Sequence, residues 1–136
     1  MKIDLHTHSS VSDGTDTPTG LVMKALTAGL DVIALTDHDT FDGVAEAQEA
    51  GKRIGVRVVS GIEMSAEHGG RSVHLLGYGC DPFHRPLLDE LTHIRVDRTA
   101  RMPEMVQRLN GLGLEGTLEE VQAALHAARA AMGEPA

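Results

Sequence analysis

The run Asp31-Val32-Ile33-Ala34-Leu35-Thr36 limits the folds open to this chain more than any other stretch. It is nearly all apolar, with no wet alternate positions, as expected of a strand buried on both faces. Strands of that kind belong to sheets covered by helices on either side, and the flanking segments supply those helices. Before the run, Thr17 reads as an N-cap and Pro18 as the first helical residue. Leu21, Val22, Ala25 and Leu26 then form a helical stripe that Gly29 stops. After it, a second helix is expected over about Asp42 to Ile54, with Val44, Ala47, Ala50 and Ile54 inward and Gly55 closing it.

Lys2 to His6 reads as a first strand and Val56 to Met64 as a third. A short turn over Glu67 to Arg71 leads into a fourth strand, Ser72 to Tyr78. So short a link suits an antiparallel hairpin. A long helix is expected from about Arg85 to Asn110, with Leu87, Leu88, Leu91, Ile94, Arg98, Met102, Met105 and Leu109 along one side. Pro103 inside it should kink or break it, because proline removes one hydrogen bond and crowds the preceding turn. Thr117 to Glu120 is a capping box opening a last helix to about Ala131, and Met132 to Ala136 is a tail. The order is that of an α/β protein with a largely parallel sheet and flanking helices.

The chain has 136 residues, enough for one domain with a modest core. Phe41, Tyr78 and Phe83 are its only aromatic residues apart from histidine, so the core is aliphatic. A formal net charge of −8 with so few aromatics lacks both the basic patch and the stacking platform of an extended nucleic-acid surface. One cysteine, Cys80, allows no intrachain disulfide and reads as packing rather than as a ligand. Charges at Lys2 and Asp4 interrupt the N-terminus before any apolar run, and no stretch is long enough to span a membrane. A cytoplasmic location is the expectation.

The chemistry gathers at strand ends. His6 and His8 stand two apart, so in a strand they share a face, about 7 Å from one another. Asp13 comes after a loop, Ser9-Ser10-Val11-Ser12, that can fold back over that face. Asp37 and His38 end the second strand, Glu63 lies near the end of the third, and His74 lies within the fourth. In parallel α/β folds the carboxyl ends of the strands carry the site. Imidazoles and carboxylates meeting there make a mixed N/O site for divalent cations. Asp37 reads as a direct ligand or, preferably, as a partner that orients a histidine. Asp39 and Glu67 read as solvated loop carboxylates, and His68, His84, His93 and His126 as uninvolved.

The segments D-L-H-T-H-S with Asp13, then L-T-D-H-D-T, G-I-E-M-S and V-H-L-L-G-Y, taken in order, resemble the motifs of the polymerase and histidinol phosphatase (PHP) family, closely over Met1 to Tyr78. The resemblance implies a distorted β/α barrel, of which this chain carries the N-terminal portion. It implies a metal-binding βα core over residues 1–80 and, over 81–136, the start of the family's helical insertion. It implies two or three divalent ions, of Mn, Zn or Fe. His6, His8 and Glu63 would hold one, Asp13 and His38 a second, and Glu63, bridging, with His74 a third. Family members usually continue into a Gly-Arg-Pro-His-like segment and a late Asp-x-His pair, which this sequence lacks. The expectation is therefore a chain that ends before the rest of the barrel. A free sheet edge would then favour self-association, and activity would be weak.

The function implied is hydrolysis of phosphate esters of nucleotides or short oligonucleotide ends by metal-activated water. Arg98 and Arg101 are candidates for holding the leaving nucleotide. No G-x-S-x-G elbow is present, and Gly51-Lys52 is followed by Arg53, so there is no phosphate-binding P-loop. Two alternatives stand beside this reading. One is a non-catalytic metal-binding or structural module. The other is an amidohydrolase-type hydrolase, disfavoured because Lys2, Lys24 and Lys52 offer no bridging lysine on a late strand.

Overall fold

The computed structural model describes residues 1–133. Among these, the elements run in the order β1 (Ile3–Thr7), α1 (Pro18–Thr27), β2 (Val32–Leu35), α2 (Val44–Ile54), β3 (Arg57–His68), β4 (Arg71–Tyr78), α3 (Arg85–Gly111) and α4 (Leu118–Gly133). Helix α4 runs past its expected end, and the last residues of the expected tail, 134–136, lie outside the described residues.

Local chemistry sets the boundaries. The Thr17 hydroxyl accepts from the Gly20 N–H at 3.0 Å, satisfying one of the free donors at the start of α1. Gly55, at φ +83°, closes α2 in the left-handed conformation and donates its N–H to Gly51. At the start of α4, Thr117 and Glu120 satisfy each other's backbone N–H reciprocally, at 2.8 and 3.1 Å.

The sheet has the order β1-β2-β3-β4. The first three strands are parallel, and β3 turns back through Gly69-Gly70, both at positive φ, into antiparallel β4. Ile33, Ala34 and Leu35 of β2 are fully buried, because β1 and β3 flank them and helices cover the sheet with Val22, Ala25, Ala47 and Ala50. Each large aliphatic side chain buried in this way contributes about 1.5–3 kcal/mol. The sheet curls enough for the Tyr78 hydroxyl, at the end of β4, to donate to the Leu5 carbonyl of β1 at 2.8 Å. Both outer strands stay open to solvent, with Ile3 and Leu5 on β1 and Leu75 and Leu76 on β4 exposed.

The chain divides into two units, residues 1–91 and 92–136. In the second, α3 is not broken at Pro103 but continues through it to Gly111. Proline removes a single donor, a local defect that a helix of 27 residues tolerates. The expected inward stripe also drifts. Met105 and Leu109 are exposed, and Val106, one turn on from half-buried Met102, takes the buried position. No helix among the described residues is long and apolar enough to cross a membrane.

Candidate metal centre

The first strand delivers its histidines through an irregularity. Asp4 and Thr7 of β1 stand opposite Ile33 and Leu35 of β2, so β1 carries one residue too many between them. Extra residues of this kind re-aim side chains at strand ends. Thr7 anchors the end of the strand: its hydroxyl donates to the Ala34 carbonyl at 2.7 Å, and its carbonyl accepts from Thr36. His6 and His8, the latter just past the strand, both turn their Nε2 atoms to Glu63 Oε2, each at 2.9 Å.

The serine loop then folds back as its composition implied. Ser10 N–H donates to the Asp16 carbonyl and Gly14 N–H to that of Ser9. This returns Asp13 to within 3.1 Å of His8 Nδ1 and 3.4 Å of His38 Nε2. Gly14 makes the return possible, since a Cβ there would overlap the His8 carbonyl oxygen and lie 2.7 Å from its carbon. Gly14→Ala should therefore displace the loop and lower stability by about 1–3 kcal/mol, the usual cost of overpacking. Thermal denaturation measures it, and an unchanged midpoint would show that the loop shifts freely.

The segment Asp37-His38-Asp39 joins the second strand to the third. His38 pairs with Glu63 in a parallel bridge, with Glu63 N–H donating to the Asp37 carbonyl at 3.2 Å and Asp39 N–H to the Glu63 carbonyl at 3.0 Å. The buried Asp37 carboxylate accepts from Ser9 N–H, the Ser9 hydroxyl and the Ser12 hydroxyl, each at 2.7 Å. It thus acts on the cluster through the loop. Asp39 is not the solvated carboxylate expected. It is fully buried at φ +54° and accepts from Ser65 N–H and the Ser65 hydroxyl at 2.7 and 2.8 Å. The reason is the length of β3, which runs past the end of β2 and carries Ser65 alongside the segment that follows it. Glu67 is exposed, as expected.

Glu63 is the hub. Only 5% of it is accessible. Besides His6 and His8, His74 Nδ1 lies 2.6 Å from Oε1 and His38 Nε2 lies 3.6 Å from Oε2. Burial raises the carboxyl pKa, but hydrogen bonds from His6 and His74, with the charges of His38 and His6, outweigh it and hold the group below its ordinary 4.5. The imidazoles crowd one another, with ring centroids 5.1 Å apart for His6–His8, 4.8 Å for His8–His38 and 5.0 Å for His38–His74. Three overlapping groups result: His6, His8 and Glu63; His8, Asp13 and His38; His38, Glu63 and His74. Within each, one potential ligand atom per residue lies within 4.8 Å of the others.

All six residues expected to meet do meet, within the first unit. Arg98 and Arg101 are exposed on the second unit's part of α3. His68, His84, His93 and His126 are exposed and belong to none of the three groups. The serines were the residues sequence reasoning used least. Their signal was present, in a serine directly after His8 and another two places after Glu63.

This is an α/β protein with its chemistry collected at the carboxyl ends of its parallel strands. Within that class the chain belongs to the PHP domain family, whose model matches residues 4–93. It is 36% identical over 122 residues to a 5′-3′ exoribonuclease of Haemophilus influenzae, across 90% of this chain and 44% of that protein. It is 39% identical to a 3′,5′-nucleoside bisphosphate phosphatase of Chromobacterium violaceum (86% of this chain, 41% of that one). A phosphoribosyl 1,2-cyclic phosphate 1,2-diphosphodiesterase of Eggerthella lenta is 40% identical (93% and 48%). Two solved structures agree in fold. One, assigned as a metal-dependent phosphoesterase of Bifidobacterium adolescentis, has a TM-score of 0.75 and 38% identity (82% and 39%). The other, a Chromobacterium violaceum protein named an amidohydrolase and solved with bound sulfate and no metal, has a TM-score of 0.81 and 39% identity (88% and 42%). The chain spans less than half the length of each of these proteins.

Proposed function

We propose that the cluster holds divalent metal ions, and that the protein hydrolyses phosphate esters of nucleotides or of short oligonucleotide ends. The observation that carries this reading is the sharing of one buried carboxylate, Glu63, between two of the three His/Asp/Glu groups. A second detail supports a cation there. His8 Nδ1 is buried and makes no hydrogen bond, although Asp13 Oδ1 is 3.1 Å away. The two atoms approach without the alignment a shared proton needs, and an ion between them would satisfy both.

The donor chemistry sorts the ligands. An imidazole nitrogen serves one ion, whereas a carboxylate can bridge two. His6, His8 through Nε2 and one oxygen of Glu63 would make a set of three, and His8 through Nδ1 would alternatively join Asp13 and His38. Asp13 with His38, and His74 with the other Glu63 oxygen, would serve a second and a third ion. Three protein ligands with a position left open is the pattern of catalytic sites, and mixed imidazole and carboxylate ligation suits Mn, Zn or Fe. Ions bound there supply the charge that ionises water near neutral pH and clamps phosphate oxygens. The chain's own part is to fix the ligands: Glu63 through its strand bridge, and Asp13 through the loop held by Asp37.

The relatives' names cover an RNA 5′ end, a nucleoside bisphosphate and a ribose cyclic phosphate, which share a phosphate ester on a ribose. The test is hydrolysis of 3′,5′-nucleoside bisphosphate and of short 5′-phosphorylated RNA by Mn²⁺-loaded protein, with a panel of amides alongside. Release of phosphate or nucleotide that stops on chelation and returns with metal is expected. Metal-loaded protein that cleaves only amides, or nothing, would overturn the reading.

A further inference from the structure

Two acidic residues flank His38, and each grips a serine in the same way. Asp37 takes the backbone N–H and the hydroxyl of Ser9, and Asp39 takes the backbone N–H and the hydroxyl of Ser65. Ser9 is next to His8, and Ser65 lies two residues beyond Glu63 on the same strand. Asp37, Asp39 and Ser9 are buried to within 1%. The bridge between His38 and Glu63 lies between the two grips.

We propose that Asp39 is a positioning residue for the metal cluster, setting the place of Glu63 by fastening Ser65 to the end of the second strand. The inference rests on the reading of the cluster as a metal centre. Its physical basis is a second tie on the metal-facing side: backbone pairing joins Glu63 to His38 on one side and to Leu76 of β4 on the other, and Asp39 adds to the first of these. Asp39 N–H bonds the Glu63 carbonyl, and the Asp39 carboxylate then holds the chain again two residues later. Glu63 and Ser65 point to the same face of β3, so a shift of Ser65 carries the Glu63 carboxylate with it. The left-handed backbone at residue 39 fits this role. Asp and Asn adopt that conformation more readily than other side chains, and from it the carboxylate reaches Ser65 on β3.

Four forms of the full chain test this: wild type, Asp39→Asn, Ser65→Ala and the two changes combined. Asparagine keeps the left-handed preference and one acceptor but loses the charge. Ser65→Ala keeps the backbone N–H bond and removes the hydroxyl, so it gives an answer even if Asp39→Asn folds poorly. The readouts are Mn²⁺ affinity by titration, the Co²⁺ absorption spectrum as a report on ligand geometry, and the melting midpoint in chelator. Each single change should weaken Mn²⁺ binding about ten-fold, the lower end for residues that orient direct ligands, and should alter the Co²⁺ spectrum. The combined change should be no worse than the weaker single one, because both act through the pairing of the same two residues. Ser65→Thr, which keeps the hydroxyl, should restore the affinity. Variants that melt lower in chelator yet bind Mn²⁺ within two-fold of wild type, or losses that simply add, would overturn the positioning role. Wild-type protein that binds no Mn²⁺ would instead overturn the metal reading beneath it.

Discussion

With both His8 and His38 changed to alanine, the purified protein is expected to carry almost no divalent metal. His8 belongs to the first two of the three ligand groups and His38 to the last two, so the pair removes a member from every group. Each single change leaves one group whole: His38, Glu63 and His74 after the loss of His8, and His6, His8 and Glu63 after the loss of His38. The single variants should therefore keep part of their metal and the double variant nearly none. Direct ligands matter more than the groups that orient them, so the fall in Mn²⁺ affinity for the double variant should exceed about 100-fold, the upper end for orienting residues. Element analysis of the purified proteins and Mn²⁺ titration measure this. Melting in chelator separates lost ligands from a lost fold. Metal content equal to wild type in the double variant would remove these residues from the site.

Glu63→Gln should behave differently. It strikes the first and third groups but leaves His8, Asp13 and His38 intact, so a residual ion is expected where the histidine pair leaves none. The amide keeps the volume and one oxygen but loses the charge around which four imidazoles gather. Without metal there is a second consequence. The Glu63 pKa is lowered on folding, so its carboxylate adds stability at neutral pH. That contribution fades as the pH falls below the ordinary 4.5 and on through the folded value. In chelator, wild type should thus lose stability on the acid side more steeply than Glu63→Gln. Parallel acid-side profiles for the two would show that Glu63 is not the hub described, and complete metal loss in the variant would show that His8, Asp13 and His38 hold no ion without it.

The strands, the helices and six converging side chains were legible because each has a local signature. Gly29 and Gly55 stop helices, a double-sided apolar run marks β2, and acidic or imidazole residues close successive strands. What escaped was the layer of contacts beneath the cluster. Asp39 looked like a loop carboxylate because its partner, Ser65, is 26 residues away, and nothing local declares a bond between them. Asp37, expected to orient a histidine, bonds the serine loop, beginning at the residue next to His8. The extra residue in β1 is invisible to a reading that assumes strict alternation from Asp4 to His8. Of the kink or break expected at Pro103, the break does not occur, because the helix continues through it to Gly111.

The Tyr78–Leu5 bond joins residues 73 apart, and the His6–Glu63 contact joins residues 57 apart. The hairpin of β3 and β4, by contrast, closes over the two glycines between His68 and Arg71. Local pairings form before distant ones, because closing a longer loop costs more chain entropy. The hairpin, carrying Glu63 and His74, thus closes at a lower entropic cost than the meeting of the first strand with it. Any ion held jointly by His6 and Glu63 then acts as a latch on the finished chain. It opposes the first strand's departure, so resistance to unfolding rises with metal concentration.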